Sequence, residues 1–440
     1  MSHRLVTAAG LCRTLTGFPD SPQPRGTSEL RATIASRPVA SVLPSHVTVV
    51  GVPADGWPGL GDPARALLSE AAVILGSARQ LALLPDVPQQ VRSAWPSPFS
   101  LAQLEEYADR DVVVLASGDP YVSGIASTLL RLLGPERMTV VPTVSSVSLA
   151  RARMHWDDAE VVTVVGRRLE AVVRHVAPGN RVVVLSSDEH TPAAVAALLD
   201  EAGYGATVMT ALGNLGTDLE TRTEATAAEG GPLAPRLHVL ALEMRGPAIG
   251  QWTAGLPDDA FEHDGQLTKR DLRASALARL APYPGALLWD VGAGAGSVAI
   301  EWLRSHPLTT AVAVEADATR ARRIDRNAAA LGVPRLEVVT GPAPDALSGL
   351  PDPDAIFVGG GATAPGLLDL CRTRLRPGGR LVAHGVTIET EQLLTAAYAE
   401  HAGELTRLSV ERAEPLAGFT GWTPARAVVQ WAWRAPEGRR

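Results

Sequence analysis

A glycine-rich turn that directly follows an apolar segment is the strongest chemical signal in the sequence. Residues 287–291, Leu-Leu-Trp-Asp-Val, predict a buried strand, and residues 292–296, Gly-Ala-Gly-Ala-Gly, lead into a helix predicted over 298–303. A turn without side chains lets a ligand contact the backbone. Ser297 stands where the dinucleotide fingerprint GxGxxG requires glycine. The turn therefore favours a nucleotide-type ligand other than a dinucleotide, although such turns also serve as purely structural connections.

A carboxylate at the end of the next predicted strand, residues 311–315, supports the same interpretation. Glu315 can accept hydrogen bonds from both hydroxyl groups of a ribose, as in other Rossmann-like nucleotide sites. It supports a nucleotide without choosing the cofactor. The alternative is a solvated charge at a strand end.

Two further loops follow predicted strands in this half of the chain. Residues 341–347, which include Ala343, follow a strand where adenine-binding loops occur. Residues 359–361 are three glycines, so that strand ends without side chains. A bare strand end allows a large flat substrate to lie against the main chain, and a mobile loop explains the glycines equally well.

Composition and charge exclude several classes of protein. The 440 residues include 46% hydrophobic and 20% charged residues, as in ordinary globular proteins. The formal net charge of −7 disfavours a nucleic-acid partner, because phosphate binding needs a concentrated positive field. No apolar stretch is long enough to span a membrane. Two distant cysteines, Cys12 and Cys371, and scattered histidines favour neither disulfides nor a metal site, and fit a reduced cytoplasmic enzyme.

The elements that must position these residues follow an α/β pattern from residue 46 onward, in which short β-branched runs alternate with Ala/Leu-rich segments of helical length. The predicted strands of the first part are 47–50, 72–75, 112–116, 139–141, 161–165, 181–185, 207–210 and 238–242. Its predicted helices are 63–71, 124–133, 146–154 and 192–202. After a break rich in Gly and Pro at 245–255, a second α/β unit is predicted, with a helix at 269–280, strands at 287–291, 311–315, 336–339, 355–358 and 380–383, and a closing antiparallel pair at 404–412 and 427–434.

This organisation predicts three parts. Residues 1–45 contain five prolines and no sustained period, which indicates a loose extension. Residues 46–247 and 248–440 each predict an α/β domain. No repeat with a period of 20 to 50 residues is visible, so a solenoid is excluded.

The second domain carries motifs of a known family. Residues 255–273, Gly-Leu-Pro-Asp-Asp-Ala-Phe-Glu-His-Asp-Gly-Gln-Leu-Thr-Lys-Arg-Asp-Leu-Arg, together with residues 290–297, closely resemble the C-terminal half of the precorrin-6Y C5,15-methyltransferase (decarboxylating) family. The glycine turn also resembles motif I of class I S-adenosylmethionine (SAM) methyltransferases, which implies a Rossmann-like fold. The resemblance implies that SAM is bound by Thr268, Gly292, Ala293, Gly294, Ala295, Gly296, Glu315 and Ala343.

The first domain resembles the two-lobed tetrapyrrole methylase fold, class III, in which SAM lies between two α/β subdomains. The matching residues are Gly118 and Asp119 in a Ser-Gly-Asp-Pro run, Ser145 and Ser146 before a helix, and the run Thr-Pro-Ala-Ala at 191–194. Two departures affect this site. Pro53 stands where the family commonly has glycine, and Val165 stands where we expect histidine.

The joint resemblance implies a SAM-dependent enzyme of cobalamin biosynthesis with two SAM sites per chain. It would methylate precorrin-6Y at C5 and C15 and remove CO2 from the ring C acetate side chain, giving precorrin-8X. The family's division of labour assigns C5 methylation to the first domain, and C15 methylation with decarboxylation to the second. We expect a precorrin substrate, no nucleic acid, no membrane, and self-association into a homo-oligomer.

Charged residues near the second site are candidates for substrate binding and proton transfer. Lys269, Arg270 and Arg273 could bind the carboxylates of the substrate, and a solvated helix face is their alternative. His263 and Glu389 are candidate proton donors, with His384 as a competitor.

Three alternative functions stay open at this point. One is a SAM methyltransferase acting on RNA or another small molecule. Another is a chain in which one domain only binds SAM without catalysis, which Pro53 and Val165 would explain. The third is a dehydrogenase that binds NAD in place of SAM.

Overall fold

The computed structural model describes residues 43–247 and 253–437. Most of the predicted extension, residues 1–45, lies outside the described residues, and so does the start of the predicted second domain at residue 248. The chain divides into two compact units. One contains the described residues up to Arg167 and Pro178–Gly246, and the other contains Arg168–Ala177 and the described residues from Pro247 onward.

The first unit begins with a five-stranded parallel sheet. Its strands are β1 (Val47–Val52), β2 (Val73–Gly76), β3 (Val91–Ala94), β4 (Val112–Ser117) and β5 (Met138–Val141), in the order β3-β2-β4-β1-β5. The helices of this lobe are α1 (Asp62–Glu70), α2 (Ala78–Ala82) and α3 (Ala126–Leu133). Side chains on both faces of β1 and β4 are buried, as is typical of parallel sheets. Because β1 pairs in parallel with both β4 and β5, the carboxyl ends of these three strands lie at the same edge of the sheet.

A second lobe completes this unit with a mixed five-stranded sheet. Its strands are β6 (Glu160–Thr163), β7 (Arg181–Leu185), β8 (Val208–Gly213), β9 (Thr221–Thr226) and β10 (His238–Glu243), in the order β6-β7-β10-β8-β9. The helices are α4 (Ser146–Met154) and α5 (Thr191–Glu201). Val147 and Ala150 of α4 pack against Val183 and Ala241 of this sheet. The helix that starts at the edge of the first sheet is thus anchored on the second.

The C-terminal unit is built on a seven-stranded sheet, in the order β13-β12-β11-β14-β15-β19-β16. Its strands are β11 (Leu287–Val291), β12 (Thr310–Glu315), β13 (Glu337–Thr340), β14 (Ala355–Val358), β15 (Arg380–Gly385), β16 (Glu404–Leu408) and β19 (Val428–Arg434). Strands β11 to β15 pair in parallel, and β19 is antiparallel to both neighbours. An exposed hairpin, β17 (Glu411–Leu416) and β18 (Phe419–Pro424), projects between β16 and β19 in the chain.

Among the described residues of this unit, five α-helices cover both faces of its sheet. They are α6 (Arg270–Leu280), α7 (Ser297–Ser305), α8 (Ala318–Ala330), α9 (Leu367–Arg374) and α10 (Ile388–His401). A buried apolar cluster lies on each face of the sheet, and each cluster contains residues of β11, β12, β14 and β15. None of the helices in the described ranges is both long and apolar enough to cross a bilayer.

The predicted α/β class with two such units is confirmed, and the errors concern edge elements. Strands β3 and β9 were not predicted, because their residues are largely exposed and lack an apolar alternation. The closing antiparallel pair is present as β16 and β19. The prediction of one strand over 404–412 is wrong, because β16 ends at Leu408 and residues from Glu411 onward form the separate hairpin.

Candidate cofactor and substrate site

The carboxyl ends of the parallel strands form the edge at which the predicted C-terminal site residues collect. Strand β11 lies between β12 and β14, so the order of the strands reverses there. Ligands of open α/β sheets bind in the crevice at such a switch point. The glycine turn 292–296 follows β11, and the loop 359–361 follows β14. Glu315 is the last residue of β12. All three therefore stand side by side at this crevice.

Each glycine of the turn is required by its backbone and by a close neighbour. Gly292, Gly294 and Gly296 have φ angles of 67°, 60° and 74°, which side chains strongly disfavour. A Cβ on Gly292 would lie 2.7 Å from the Gly360 carbonyl oxygen, and a Cβ on Gly294 would lie 2.7 Å from the Gln266 carbonyl oxygen. The turn is therefore held between the loop after β14 and the segment before α6.

Glu315 is buried beside this turn, with only 6% of its surface exposed. One carboxylate oxygen accepts a hydrogen bond from the Gly294 amide at 2.8 Å, and the other accepts from the Asp317 amide at 3.0 Å. Each carboxylate oxygen has a second acceptor position. The carboxylate is therefore fixed in place and can still bind two hydroxyl groups. The alternative of a solvated strand-end charge is wrong.

Asp290, at the end of the buried run of β11, is a second acidic group at the turn and was not among the predicted site residues. It is 1% exposed. One of its oxygens accepts from the Ala299 amide at 3.0 Å, and the other has no hydrogen-bond partner among the described residues. Burial, and to a lesser extent the charge of Glu315, raises the pKa of Asp290 to about 7. The sequence signal that could have identified Asp290 as a site residue is a single Asp in an otherwise apolar strand.

The raised pKa of Asp290 predicts a pH-dependent stability. Between about pH 5 and pH 7 folded Asp290 keeps a proton that the unfolded chain has released, so stability should fall as the pH rises. Asp290→Asn removes this proton and its contribution of about 1.4 kcal/mol per pH unit. Denaturant unfolding of both proteins at pH 5 and pH 7 measures the effect. If the difference in unfolding free energy between the wild type and Asp290→Asn is the same at pH 5 and at pH 7, Asp290 does not hold the assigned proton.

Residues 255–268, which we call the covering segment, lie against the glycine turn and contain two predicted site residues. Thr268 is half-buried at the end of the segment, and its carbonyl oxygen accepts a hydrogen bond from Arg273. His263 is half-buried and accepts from the Gly265 amide at 3.0 Å through Nδ1. Burial, followed by the charge of Lys269, lowers the pKa of His263. A neutral His263 with a proton on Nε2 is the form that fits these contacts.

The three cations predicted to bind substrate carboxylates differ in their surroundings. Lys269 has a side chain that is 45% exposed, and its Nζ lies 3.9 Å from Asp258. Arg270 is exposed and lines a surface hollow together with three aspartates. Arg273 is completely buried and donates to Glu301 and to main-chain carbonyls. The prediction that Arg273 binds substrate is therefore wrong, because its charge is not accessible.

Two of the candidate proton donors are unsuited to that task. Glu389 is exposed in the first turn of α10, where a backbone amide and the Thr387 hydroxyl lower the pKa of its carboxyl group. An ionised carboxylate has no proton to give, which argues against the predicted role of Glu389 as a proton donor. His384 is 7% exposed, its Nε2 lies 2.9 Å from the Gln430 side chain, and burial lowers its pKa to about 4. His384 is a neutral core residue.

The remaining loops at this edge are apolar or bare. Ala343 is half-buried and packs against the cluster on one face of the sheet. Val386 and Ile388, which follow β15, are 57% and 72% exposed. Val358 pairs with Ala383, so the three glycines after β14 and these two side chains after β15 extend from the same level of the sheet. These glycines and the two apolar side chains lie on the β14–β15 side of the glycine turn.

The predicted residues of the first unit also meet at one sheet edge. A Cβ on Gly51 would lie 2.5 Å from the Gly118 carbonyl oxygen, so the end of β1 touches the loop after β4. Asp119 accepts a hydrogen bond from the Tyr121 amide at 2.8 Å. Ser145 caps α4 by accepting from the Ser148 amide at 2.9 Å, and Ser146 is the first residue of that helix. Asp119 and Ser145 thus shape their loops with their side chains.

The two departures from the tetrapyrrole methylase pattern are accommodated locally. The carbonyl of Pro53 accepts from the Gly56 amide at 3.0 Å, and this turn needs no amide hydrogen from residue 53. Val165 is 55% exposed and lies after β6. Neither residue distorts the strand that precedes it.

Comparisons with known protein families match both units. The family described as Tetrapyrrole (Corrin/Porphyrin) Methylases matches residues 46–230. The family described as Precorrin methyltransferase domain matches residues 259–435.

Similar curated proteins match most of the chain. A Sinorhizobium protein named precorrin-6Y C(5,15)-methyltransferase [decarboxylating] is 43% identical over 89% of this chain and 97% of its own length. A Mycobacterium tuberculosis protein of the same name is 47% identical over 88% of this chain and 99% of its own length. Among solved structures, the C-terminal domain of precorrin-6Y C5,15-methyltransferase from Rhodobacter capsulatus is 44% identical, covers 42% of this chain and 100% of that domain, and has a TM-score of 0.40.

Proposed function

The chain belongs to the precorrin-6Y C5,15-methyltransferase (decarboxylating) family, and from this membership we propose its reaction. It is a SAM-dependent methyltransferase of cobalamin biosynthesis that methylates precorrin-6Y at C5 and C15 and removes CO2 from the ring C acetate side chain. The product is precorrin-8X. Each chain binds two SAM molecules, one per α/β domain, with domain limits at residues 46–247 and 248–440.

The observation that carries this proposal is the fixed carboxylate of Glu315 beside the glycine turn. Its two oxygens are already oriented by the amides of Gly294 and Asp317 and retain acceptor positions for a ribose. The turn allows the rest of the cofactor to lie against the backbone, and the loop with Ala343 provides an apolar neighbour for the adenine. Thr268 closes the same pocket from the covering segment.

The strand order supports a position for the methyl acceptor. From β13 to β15 the edge presents Ala343, Glu315, the glycine turn, the three glycines 359–361 and then Val386 with Ile388. If the adenosine lies toward Glu315, the reactive end of the cofactor lies toward the bare glycines. The exposed Val386 and Ile388 beyond them suit a large conjugated ring, which would bury apolar area there.

The chemistry asks little of the side chains beyond alignment. SAM supplies an electrophilic methyl group, and the ring carbon of the substrate supplies the electrons. The protein holds donor and acceptor in line and excludes water. Decarboxylation leaves electrons in the conjugated ring and needs one proton. His263 is the remaining candidate because it is only half-buried, unlike His384, and it would give the proton from its imidazolium form, which a bound substrate carboxylate would favour. Lys269 and Arg270 are the remaining candidates for binding the substrate carboxylates.

The first domain would methylate C5, using Gly118, Asp119, Ser145 and Ser146 at its SAM site. The second would methylate C15 and decarboxylate. This division of labour is supported by the match of residues 46–230 to the tetrapyrrole methylases and of residues 259–435 to the precorrin methyltransferase domain.

Self-association and a cytoplasmic location complete the proposal. The hairpin β17–β18 exposes Leu416, Phe419 and Trp422 at 63%, 81% and 73%. A two-stranded hairpin is marginally stable by itself in water, so contact with a second copy would stabilise it. Cys371 is buried and unpaired, which suits a reducing compartment.

Mass spectrometry of the product tests the proposed reaction. The full-length chain is incubated with SAM and precorrin-6Y, and we expect a product that has gained two methyl groups and lost one CO2. A reaction that consumes NAD but not SAM, or a product with no added methyl group, would contradict the proposal.

A further inference from the structure

Three buried polar side chains hold the covering segment on the C-terminal unit. They are Arg273, Glu301 and Asn327, which are 0%, 5% and 1% exposed. They come from three different helices, α6, α7 and α8. Buried polar groups are retained where their hydrogen bonds are satisfied, so the partners of each group show what it does.

Arg273 and Glu301 fix both ends of the covering segment. Glu301 accepts hydrogen bonds from the amides of Gly255 and Leu256 at 2.7 and 2.9 Å, and from Arg273 Nε at 2.6 Å. The Arg273 guanidinium also donates to the carbonyls of Leu256 and Thr268. The two ends of the segment are therefore joined through one buried ion pair.

Asn327 fixes the middle of the segment and also contacts the glycine turn. Its side-chain oxygen accepts from the Glu262 amide at 2.8 Å. Its side-chain nitrogen donates to the carbonyls of Glu262 and Ala295, each at 3.0 Å. The oxygen and both amide hydrogens are thus used, and every partner is main chain of the segment or of the turn.

We propose that Asn327 is a positioning residue for SAM in the C-terminal domain, because it joins the covering segment to the glycine turn and fixes the distance between two walls of the pocket. This inference rests on the proposed SAM site. Asn327 does not itself touch the cofactor. Without its amide, ion pairs still hold Glu262 and Asp264 of the segment on α8, but the direct link between Glu262 and the Ala295 carbonyl of the turn is lost.

A matched variant separates positioning from ordinary stabilisation. Thr309 is 0% exposed, and its hydroxyl contacts the carbonyls of Trp302 and His306 at 3.1 and 2.7 Å. Thr309 follows the C-terminal end of α7, whereas the glycine turn precedes the N-terminal end of that helix. Thr309→Val therefore removes buried hydrogen bonds of similar kind without altering the walls of the pocket.

The test titrates SAM into the full-length chain carrying Asn327→Ala or Thr309→Val and measures thermal stability in parallel. We expect both variants to lower Tm. Only Asn327→Ala should raise the Kd of the C-terminal SAM site, by about tenfold, while the site of the first domain keeps its affinity. Asn327→Ser, which leaves a smaller gap and no amide, serves as the second variant if Asn327→Ala does not fold.

The possible outcomes separate the inference from the function on which it rests. A wild-type chain that binds no SAM at the C-terminal site would overturn both. A wild-type chain that binds SAM, with a Kd that Asn327→Ala and Asn327→Ser change by less than twofold, would overturn the inference alone. The same rise in Kd for Thr309→Val would also overturn it, because the effect would then follow from lost stability.

Discussion

Replacing Glu315 with alanine is expected to weaken SAM binding at the C-terminal site about a hundredfold. The carboxylate can accept two charge-assisted hydrogen bonds from ribose hydroxyls, at roughly 1.5 kcal/mol each. Their sum of about 3 kcal/mol corresponds to about a hundredfold in Kd. The variant also loses the acceptor that orients the amides of Gly294 and Asp317. Calorimetric titration of the full-length chain measures the change.

Two further variants define what the Glu315 experiment shows. Glu315→Gln keeps the shape and one acceptor oxygen, so a smaller loss of about tenfold is expected. Glu337 is an exposed carboxylate on the neighbouring strand β13, and Glu337→Ala should leave the Kd unchanged. If Glu315→Ala binds SAM as tightly as Glu337→Ala does, Glu315 is not part of the site.

Gly294→Ala is expected to remove most SAM binding from the same site. The new Cβ would meet the Gln266 carbonyl oxygen at 2.7 Å, and the φ of 60° adds strain of roughly 1–2 kcal/mol. The turn or the covering segment must therefore shift, and the amide that Glu315 holds shifts with it. We expect a rise in Kd of more than about tenfold, measured by the same titration.

Gly349→Ala is the matched control for this variant. Gly349 has a φ of 80°, but nothing lies within 4 Å of the position of its Cβ. It carries the same kind of backbone strain without a steric clash. Both variants should lose stability, and only Gly294→Ala should lose SAM. Equal affinities in the two variants would show that the close contact with Gln266 is not needed for binding.

Signals that are local in the chain made the core of the fold predictable. The strand, glycine turn and helix around residues 287–303 are adjacent in the sequence. A short apolar run that ends at a glycine-rich turn predicts a buried strand. The edge strands β3 and β9 carry no apolar alternation and depend on pairing with strands distant in the chain. The hairpin β17–β18 is exposed at nearly every residue, so its sequence has no alternation of apolar and polar residues from which strands could be predicted.

The site was harder to predict because side-chain accessibility depends on packing. Arg273 and Arg270 are close neighbours in the sequence, yet only Arg273 is turned into the unit and paired with Glu301. Asn327 was not among the predicted site residues, because its partners Glu262 and Ala295 are 65 and 32 residues away in the sequence. Glu389 was proposed for its residue type alone, and its place in the first turn of α10 lowers the pKa of its carboxyl group. Positions of glycines and strand-end acids are readable from sequence, whereas such long-range contacts are not.

The number of SAM molecules bound per chain tests the central claim most directly. The full-length wild type and the Glu315→Ala variant are titrated with SAM in the calorimeter, at concentrations well below the weakened Kd of the variant. We predict two equivalents for the wild type and one for the variant, because only the C-terminal site depends on Glu315. The same stoichiometry in both proteins, or a wild-type C-terminal site that binds NAD instead of SAM, would contradict the account.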